Sequence, residues 1–280
     1  MSTAYLGDAF DIHGGGVDLV FPHHENEIAQ AQAVGKPFAR YWVHNGLLTV
    51  NGEKMSKSLG NFVTVDEALV DCHSQVDVLK VFFLSSHYRS PVDYTFQQIE
   101  AAYHRWFRLK FLIQDGQTHR KIWEQKWKSH FPNLTLPGER AQRIESISDE
   151  FATAMDEDMN TSEALACLDK LANLANAWCD SEDVFQRTTG PTYRTIDSQA
   201  VHNLSIFQAS EKLRKLAGLL GLFEDELLEL TLEQEVEIRE RENARRRGDY
   251  QTADRIRREL LQENIELRDT PRGTLWSQKR

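Results

Sequence analysis

The most informative stretch of this sequence is Lys54-Met55-Ser56-Lys57-Ser58, which lies between Gly52 and Gly60. It follows an apolar run that is typical of a strand, and a loop flanked by glycines can move. Two lysines on such a loop can place positive charge where negative charge develops on a leaving pyrophosphate. The stretch therefore predicts a mobile loop that acts on ATP, with Lys54 and Lys57 as its catalytic candidates. The alternative is a solvated basic loop without chemistry.

A second motif is the glycine run His13-Gly14-Gly15-Gly16-Val17-Asp18. Consecutive glycines let a backbone approach a ligand closely, and Asp18 can accept hydrogen bonds from a ribose. Taken alone the run is a weak signal, because glycine-rich turns have many uses. Beside the lysine loop it predicts a turn on the nucleoside side of an ATP site.

A third motif is Phe21-Pro22-His23-His24-Glu25-Asn26-Glu27, in which proline suits a helix start. His23 and Glu27 are four residues apart and share one face of the helix that follows. Imidazole and carboxylate at that spacing can form half of a zinc site. The alternative is a buried histidine with a purely structural hydrogen bond.

The order of apolar patterns predicts several different parts. The first sixty residues, with a helical stretch at Glu25–Ala33, favour an α/β unit, although only about one crossover of a parallel sheet fits. Beyond Val63 apolar residues recur at helical intervals, which predicts an antiparallel bundle. The last segment predicts a helix ending at Gly248, a second helix, and two strands paired around the turn at 270–273.

Composition limits the functional classes. The 280 residues carry a net charge of −10, but Val236–Arg280 holds 12 Lys and Arg against 9 Asp and Glu. A basic tail on an acidic body suits a local RNA contact, and the alternative is a solvated charged helix. No stretch approaches the roughly 20 apolar residues of a membrane helix, so no membrane partner is expected. The 3 scattered cysteines favour a reducing compartment, and hence a cytoplasmic location.

These motifs together resemble one enzyme family. Lys54–Ser58 is identical to the KMSKS signature of class I aminoacyl-tRNA synthetases. The runs Phe10–Leu19 and Pro22–Glu27 resemble the cysteinyl-tRNA synthetases specifically. Asp156–Thr161 resembles the start of that family's helical-bundle segment, and Asp269–Trp276 resembles its C-terminal end. The resemblance extends over the whole chain, from Met1 to Arg280.

The resemblance implies a reaction, a metal and a set of site residues. The family makes cysteinyl-adenylate from cysteine and ATP, supplied with Mg2+, and transfers the cysteinyl group to tRNA(Cys). Its Zn2+ binds the substrate thiolate, a soft ligand that zinc prefers to a serine hydroxyl. Of the four zinc ligands, two cysteines, one histidine and one glutamate, the last two correspond to His23 and Glu27. Lys57 is implied as the ATP contact, and the floor of the adenylate pocket is implied at His13, Gly16 and Asp18.

The C-terminal segment is expected to bind the anticodon stem and loop of the tRNA. Its candidate residues are the cluster Arg245, Arg246 and Arg247, together with Asp269 and Trp276. Trp276 could stack on an unpaired base, and the alternative is a core position in a small domain.

Two features of the family do not occur in this sequence: a HIGH-type motif and the two zinc-ligand cysteines. The chain is therefore expected to be a truncated product, an internal start or one half of a split protein, with the missing N-terminal half as a separate partner. We expect the isolated chain not to aminoacylate, and to aggregate through its exposed sheet edges. The rival interpretations are a non-catalytic tRNA-binding fragment and the cysteine:amino-sugar ligase of mycothiol synthesis.

The expected organisation has four parts. Residues 1–62 are the C-terminal part of a Rossmann-like catalytic domain with the KMSKS loop, and 63–94 are an α/β connector. Residues 95–230 are a helical bundle, and 231–280 are a C-terminal anticodon-recognition module. The fold class is thus α/β plus all-α, with a small α+β module at the end.

Overall fold

The N-terminal part is one parallel β-α-β unit. The computed structural model describes residues 2–73, 75–189, 196–224, 230–270 and 273–278. The first elements are α1 (Ser2–Leu6), β1 (Phe10–Gly16), two short helical turns (Val17–Leu19 and Val20–His24), α2 (Glu25–Ala33) and β2 (Ala39–Asn45). Strands β1 and β2 pair in parallel, from Phe10 opposite Ala39 to Gly16 opposite Asn45. The single crossover and the bounds of α2 agree with the sequence pattern.

The glycine run differs from its prediction as a turn. Gly14–Gly16 lie within β1, and the apolar residues after them form the helical turns instead. The reason is steric: a Cβ at Gly15 would lie 2.8 Å from Cε1 of His24, so a side chain there would displace that histidine. At Gly15, glycine is therefore required by packing and not by a turn.

A second small sheet carries the lysine loop. Strand β3 (Leu48–Val50) pairs antiparallel with β4 (Glu53–Lys54) and parallel with β5 (Val92–Tyr94). A short turn at Lys57–Leu59 follows, and then α3 (Val65–Asp71) and α4 (Val76–Leu84). The start of α3 has a complete capping box, in which Thr64 and Glu67 exchange hydrogen bonds with each other's backbone.

The centre of the molecule is a helical bundle. Its helices are α5 (Phe96–Ile122), α6 (Gly138–Asp156), α7 (Thr161–Thr189) and α8 (Ile196–Leu219), with a wide turn at Trp123–Trp127 after α5. The Thr95 side chain accepts a hydrogen bond from the Gln98 backbone, as the sequence predicts. The predicted stripe on α5 is buried, namely Ile99, Tyr103, Trp106, Leu109 and Ile113.

The C-terminal module has its own small core. It contains α9 (Leu232–Arg246), α10 (Tyr250–Gln262) and the antiparallel strands β6 (Ile265–Thr270) and β7 (Gly273–Gln278). Gly248 has a φ of 78°, which confirms it as the residue that ends the first helix. The predicted strand pairing is confirmed, while Pro271 and Arg272 of the predicted turn lie outside the described residues. Ile256, Leu260 and Ile265 form the centre of this core.

The observed class matches the predicted combination of an α/β part, a helical bundle and an α+β end. Among the described residues, buried apolar side chains of the main core extend from Val50 to Phe223, so the β1–β2 unit adds none. Of the helices that the structure describes, none has both the length and the apolar composition needed to cross a membrane.

Candidate active site

One face of the β1–β2 pair gathers aromatic rings. His13 lies opposite Trp42 and Gly15 lies opposite His44, so these four residues share a face. The ring centroid of Trp42 is 4.6 Å from that of His13 and 5.0 Å from that of His24, which comes from the turn before α2. The crossover between β1 and β2 thus places a second group of polar side chains, including His24, over this face of the strands.

His24 is the most deeply placed of these side chains. It is 3% exposed, and its Nδ1 lies 2.8 Å from Nε2 of His44. Burial lowers the pKa of His24, and the neighbouring His13 and His44 lower it further. The ring is therefore held neutral, and contact with His44 through Nδ1 leaves Nε2 for another partner. A neutral imidazole whose second nitrogen is fixed in this way is typical of a metal ligand.

Glu27 has an unsatisfied buried oxygen. Its Oε2 is 3.1 Å from Nε2 of His13, and its Oε1 is 3.7 Å from Nε2 of His23. Although His13 is within ion-pair range, Oε2 accepts no hydrogen bond from any described residue. A buried carboxylate oxygen without a donor costs free energy, and a bound cation is one way to remove that cost.

Three residues are placed to hold a metal ion together. His13, His24 and Glu27 each offer one ligand atom, and these atoms lie within 4.8 Å of one another. We name these residues the HHE trio. Two nitrogens and one carboxylate oxygen are a donor set that suits zinc. His23 contacts the same carboxylate, but its side chain is 60% exposed and it is not part of the trio.

Two members of the trio, His13 and His24, were not predicted as metal ligands, and a local spacing could have indicated one of them. His24 and Glu27 are three residues apart, a spacing that also shares a helix face, so the histidine beside the predicted His23 was equally available. His13 as a ligand depends on the pairing of β1 with the crossover, a long-range contact that no local spacing reveals. The metal site itself stays a prediction.

The glycine run shapes the neighbouring surface. A Cβ at Gly16 would lie 2.4 Å from Oδ1 of Asp18, so the carboxylate packs directly on the glycine backbone. Asp18 is exposed to solvent. This arrangement leaves its oxygens accessible to a ligand above β1, as the ribose prediction requires.

Two side chains fix the ends of the lysine loop. At its start, Asp93 accepts hydrogen bonds from Gly52 N at 2.8 Å and from Thr49 Oγ1 at 2.7 Å, and these bonds hold the pKa of Asp93 below its usual range. At its end, the amide of Asn61 accepts from Ser56 N at 2.9 Å and donates to Lys54 O at 3.1 Å. The loop is therefore anchored at both ends while its centre is free of the sheet.

The catalytic candidates lie on the exposed part of this loop. Lys57 is solvent-exposed, and its Nζ lies 5.5 Å from the ring centroid of Phe62. Lys54 is also exposed, at the end of β4. Because β2 ends at Asn45 and β3 begins at Leu48, a connection of two residues joins the strand below the HHE trio to the sheet that carries the loop. That both groups line one pocket stays a prediction.

The five tRNA candidates have different environments. Asp269 accepts two hydrogen bonds of 2.7 Å from the buried Arg241 and also pairs with Arg245; hydrogen bonding by Arg241 is the main cause that lowers its pKa to about 2. Arg246 and Arg247 are exposed. Trp276 packs against the small core, and its carbonyl accepts a hydrogen bond from Gln114. Arg245 is exposed as well but pairs with Asp269, so Arg246 and Arg247 are the arginines most available to a phosphate backbone, and all five roles stay predictions.

Comparisons with known protein families and structures indicate which class of enzyme this chain resembles. The family described as tRNA synthetases class I (C) catalytic domain matches residues 1–104, and the DALR domain matches residues 150–224. The structure of Mycobacterium tuberculosis methionyl-tRNA synthetase in complex with methionyl-adenylate aligns with a TM-score of 0.57 at 19% identity, over 77% of this chain and 41% of that chain. That likeness shows the fold alone. Residues 1–104 thus match the catalytic domain of class I aminoacyl-tRNA synthetases.

Proteins of similar sequence indicate a more specific family within this class. A cysteine--tRNA ligase from Geobacillus thermodenitrificans is 42% identical over 278 residues, covering 99% of this chain and 54% of the relative. One from Aquifex aeolicus is 37% identical over 294 residues, covering 100% of this chain and 57% of the relative. The chain is thus similar to cysteine--tRNA ligases over nearly its whole length, and it spans about half the length of the curated relatives it matches.

Proposed function

We propose that this chain supplies part of the catalytic site and the tRNA-binding region of a cysteine--tRNA ligase. The reaction is ATP-dependent activation of cysteine to cysteinyl-adenylate, followed by transfer to tRNA(Cys). The observation that carries the proposal is the unaltered lysine loop, anchored by Asp93 and Asn61, within a chain whose relatives of this activity align over 99% of its length.

The lysine loop would act by electrostatics. In the described state Lys57 rests near the Phe62 ring, an interaction worth roughly 0.5–1 kcal/mol at an exposed site. Leaving that ring for a phosphate group costs little, so the ammonium group can follow the charge that develops on pyrophosphate. Lys54, fixed through its carbonyl by Asn61, would supply a second positive charge at the base of the loop. ATP would bring Mg2+ with it.

The donor set at the HHE trio fits a zinc ion. His13, His24 and Glu27 would hold it, and the orphaned Oε2 of Glu27 would gain its missing partner. When bound, zinc supplies a preference for a thiolate over a hydroxyl group. His24 is kept neutral by burial and fixed by His44, so this chain contributes an oriented, unprotonated ligand.

A HIGH-bearing segment is proposed to complete the site, in the same polypeptide or as a separate N-terminal half. The support is the uncovered face of β1–β2, where Ile12 is 64% exposed and its partner Tyr41 is 68% exposed. Parallel strands are normally covered on both faces, and here α2 lies on one.

The proposal also includes the division of the chain into four parts, residues 1–62, 63–94, 95–230 and 231–280, and a cytoplasmic location.

The activity test uses the purified chain alone and mixed with the N-terminal half of the Geobacillus thermodenitrificans relative. Cysteine-dependent ATP–pyrophosphate exchange is expected only in the mixture. Lys57→Ala should lower the rate by roughly 100-fold, as expected for loss of one preorganised electrostatic group. Lys126→Ala, at an exposed lysine outside the loop, is the matched control and should leave the rate unchanged. Equal rates for both variants would contradict the proposed role of the loop. Exchange by the chain alone would contradict the proposal that a further segment completes the site.

A non-catalytic tRNA-binding fragment is the second candidate, favoured by the exposed Arg246 and Arg247. Filter binding with tRNA(Cys) at two salt concentrations separates the candidates, because each lost phosphate contact reduces the salt slope by about one. The variant R246A/R247A should bind more weakly with a smaller slope. Unchanged affinity after deletion of Val236–Arg280 would remove tRNA binding from this module. The amino-sugar ligase alternative has no comparable observation in its favour.

A further inference from the structure

The turn between α6 and α7 contains the segment Asp156–Thr161, which the proposed function does not use. Two consecutive residues of this turn that are not glycine, Asp158 and Met159, have positive φ angles of 55° and 53°. Side chains disfavour this left-handed conformation, so it persists where surrounding contacts hold it. Met159 is 44% exposed, so packing of its side chain is not the reason. Asp158, by contrast, is held by several side-chain contacts.

Asp158 is bound by two residues of the loop between α4 and β5. Its Oδ2 accepts a hydrogen bond of 2.6 Å from Nε of Arg89, and its Oδ1 accepts one of 3.1 Å from Nη2 of the same guanidinium. Oδ1 also accepts a bond of 2.8 Å from the hydroxyl of Tyr88, whose ring centroid lies 5.3 Å from that guanidinium. Most exposed ion pairs contribute little, but pairing at two points with a third donor fixes the geometry of the partners. We name Asp158, Arg89 and Tyr88 the Asp158 clasp.

The backbone of the same loop holds the connection between β2 and β3. The backbone N of Gly46 donates to O of Tyr88 at 2.7 Å, and N of Val92 donates to O of Leu47 at 2.9 Å. The two backbones are in close contact, because a Cβ at Gly46 would lie 2.2 Å from O of Ser90. The loop thus touches both residues of the connection, while the Asp158 clasp ties the loop to the helical bundle.

This connection joins the two parts of the candidate active site. Strand β2 carries His44, which contacts His24 of the HHE trio, and β3 belongs to the sheet that carries the lysine loop. For the described residues 2–44, the side-chain hydrogen bonds and ion pairs all lie within the β1–β2 unit. The orientation of that unit relative to the lysine loop therefore depends on the connection Gly46–Leu47 and on what holds it.

We infer that Asp158 is a positioning residue: through Arg89 and Tyr88 it holds the loop against the β2–β3 connection, and so fixes the orientation of the HHE trio relative to the lysine loop. The inference rests on the proposed function, in which ATP contacts both parts of the site while zinc needs only the trio. A displacement of about 1 Å between reacting groups can cost on the order of 100-fold in rate. Loss of the clasp should therefore slow the ATP-dependent step and leave zinc binding intact.

The test variant is Asp158→Asn, and its matched control is Asp156→Asn in the same turn. Asn adopts a left-handed backbone as Asp does, so Asp158→Asn removes the charge of the clasp and keeps the turn. Asp156 is exposed, and its side chain has no hydrogen bond or ion pair with any residue that the structure describes. In the purified chain, Asp158→Asn should raise the hydrogen-exchange rate of the Gly46 amide by about fivefold or more, with the amides of α2 as internal control. Its Zn2+ affinity should be unchanged.

The mixture with the N-terminal half of the Geobacillus thermodenitrificans relative gives the functional measurement. Asp158→Asn should lower kcat of cysteine-dependent ATP–pyrophosphate exchange by about tenfold and raise KM for ATP, with KM for cysteine unchanged. Arg89→Ala should have the same effect, and the double variant should be no slower than either single variant, because both changes remove one contact. Asp156→Asn should match the unchanged chain in every measurement.

The contrary results are distinct. Equal exchange of the Gly46 amide in Asp158→Asn and Asp156→Asn would overturn the inference, and so would a loss of Zn2+ affinity, since the clasp would then only support the fold. An active mixture in which Asp158→Asn equals the unchanged chain would overturn the inference and leave the proposed function in place. A mixture that is inactive with the unchanged chain would contradict the proposed function, and the positioning role with it. The melting temperature of each variant shows that it is folded.

Discussion

At the scale of single residues, the two adjacent histidines of the third motif have separate roles. His24 is buried, held by His44 and packed on Gly15, whereas the His23 side chain is 60% exposed and lies 3.7 Å from the carboxylate of Glu27. The difference follows from helix geometry, because two neighbouring positions are rotated by about 100° from each other. A metal ion bound at the HHE trio would therefore depend on the buried ring.

This asymmetry predicts the effect of two alanine variants on metal binding. His24→Ala should weaken Zn2+ binding by about 100-fold or more, because it removes a preorganised ligand, and His23→Ala by less than tenfold. Co2+ absorption and calorimetric Zn2+ titration of the purified chain measure both affinities without any need for activity. The reverse order of the two variants would assign the ligand role to His23, as the family resemblance alone suggests.

A second residue, Asp269, predicts a dependence of stability on pH. Its folded-state pKa is about 2, below the roughly 3.9 of an unfolded chain, so it stabilises the fold above pH 3.9 and loses that contribution as the pH falls toward 2. Asp269→Asn should reduce the free energy of unfolding by on the order of 2 kcal/mol at pH 7. The gap between variant and unchanged chain in urea titrations should close near pH 2. A gap that is constant with pH would show that Arg241 does not depend on this charge.

At the scale of elements, local sequence signals predicted the helices better than the site. Thr95 begins α5, Gly248 ends α9, and Leu267 faces Trp276 across the hairpin, all as the local residue types indicate. Those features depend on neighbours within a few residues. The glycine run was misjudged because its reason is His24, which reaches β1 only after the crossover folds. Of the trio, only Glu27 was named as a metal ligand from its local spacing, because the position of His13 depends on a long-range contact.

The lysine loop is the element with the clearest local test. Asn61 bridges two backbone groups of the loop, so Asn61→Ala should raise the hydrogen-exchange rate at the Ser56 amide by about five- to tenfold, equivalent to one hydrogen bond of roughly 1 kcal/mol. Amides of α3 serve as an internal control, because their capping box is separate from the loop. Exchange at Ser56 that is unaffected would show that the loop is held elsewhere.

At the scale of the whole molecule, the parts differ in how completely they are buried. The bundle and the C-terminal module each have a closed apolar core, while the described residues of β1–β2 cover one face and leave Ile12 and Tyr41 in solvent. A two-stranded pair is marginal by itself, and its bare face adds a surface on which chains can associate. The face of β1–β2 opposite the HHE trio is thus the surface where we expect a partner to bind.

That surface predicts the association state of the purified chain. The unchanged protein should self-associate, and the variant I12S/Y41S should sediment as a smaller species at the same concentration, because it removes two exposed apolar side chains without touching the trio. The matched control V70S/V76S changes two exposed apolar residues on α3 and α4, outside the β1–β2 pair, and should sediment as the unchanged chain does. In the mixture with the N-terminal half of the relative, I12S/Y41S should also lose most of the pyrophosphate exchange, since the same face would carry the contact. If I12S/Y41S sediments as a smaller species but retains full exchange, self-association and binding of the N-terminal half use different surfaces. The N-terminal half would then bind elsewhere on the chain.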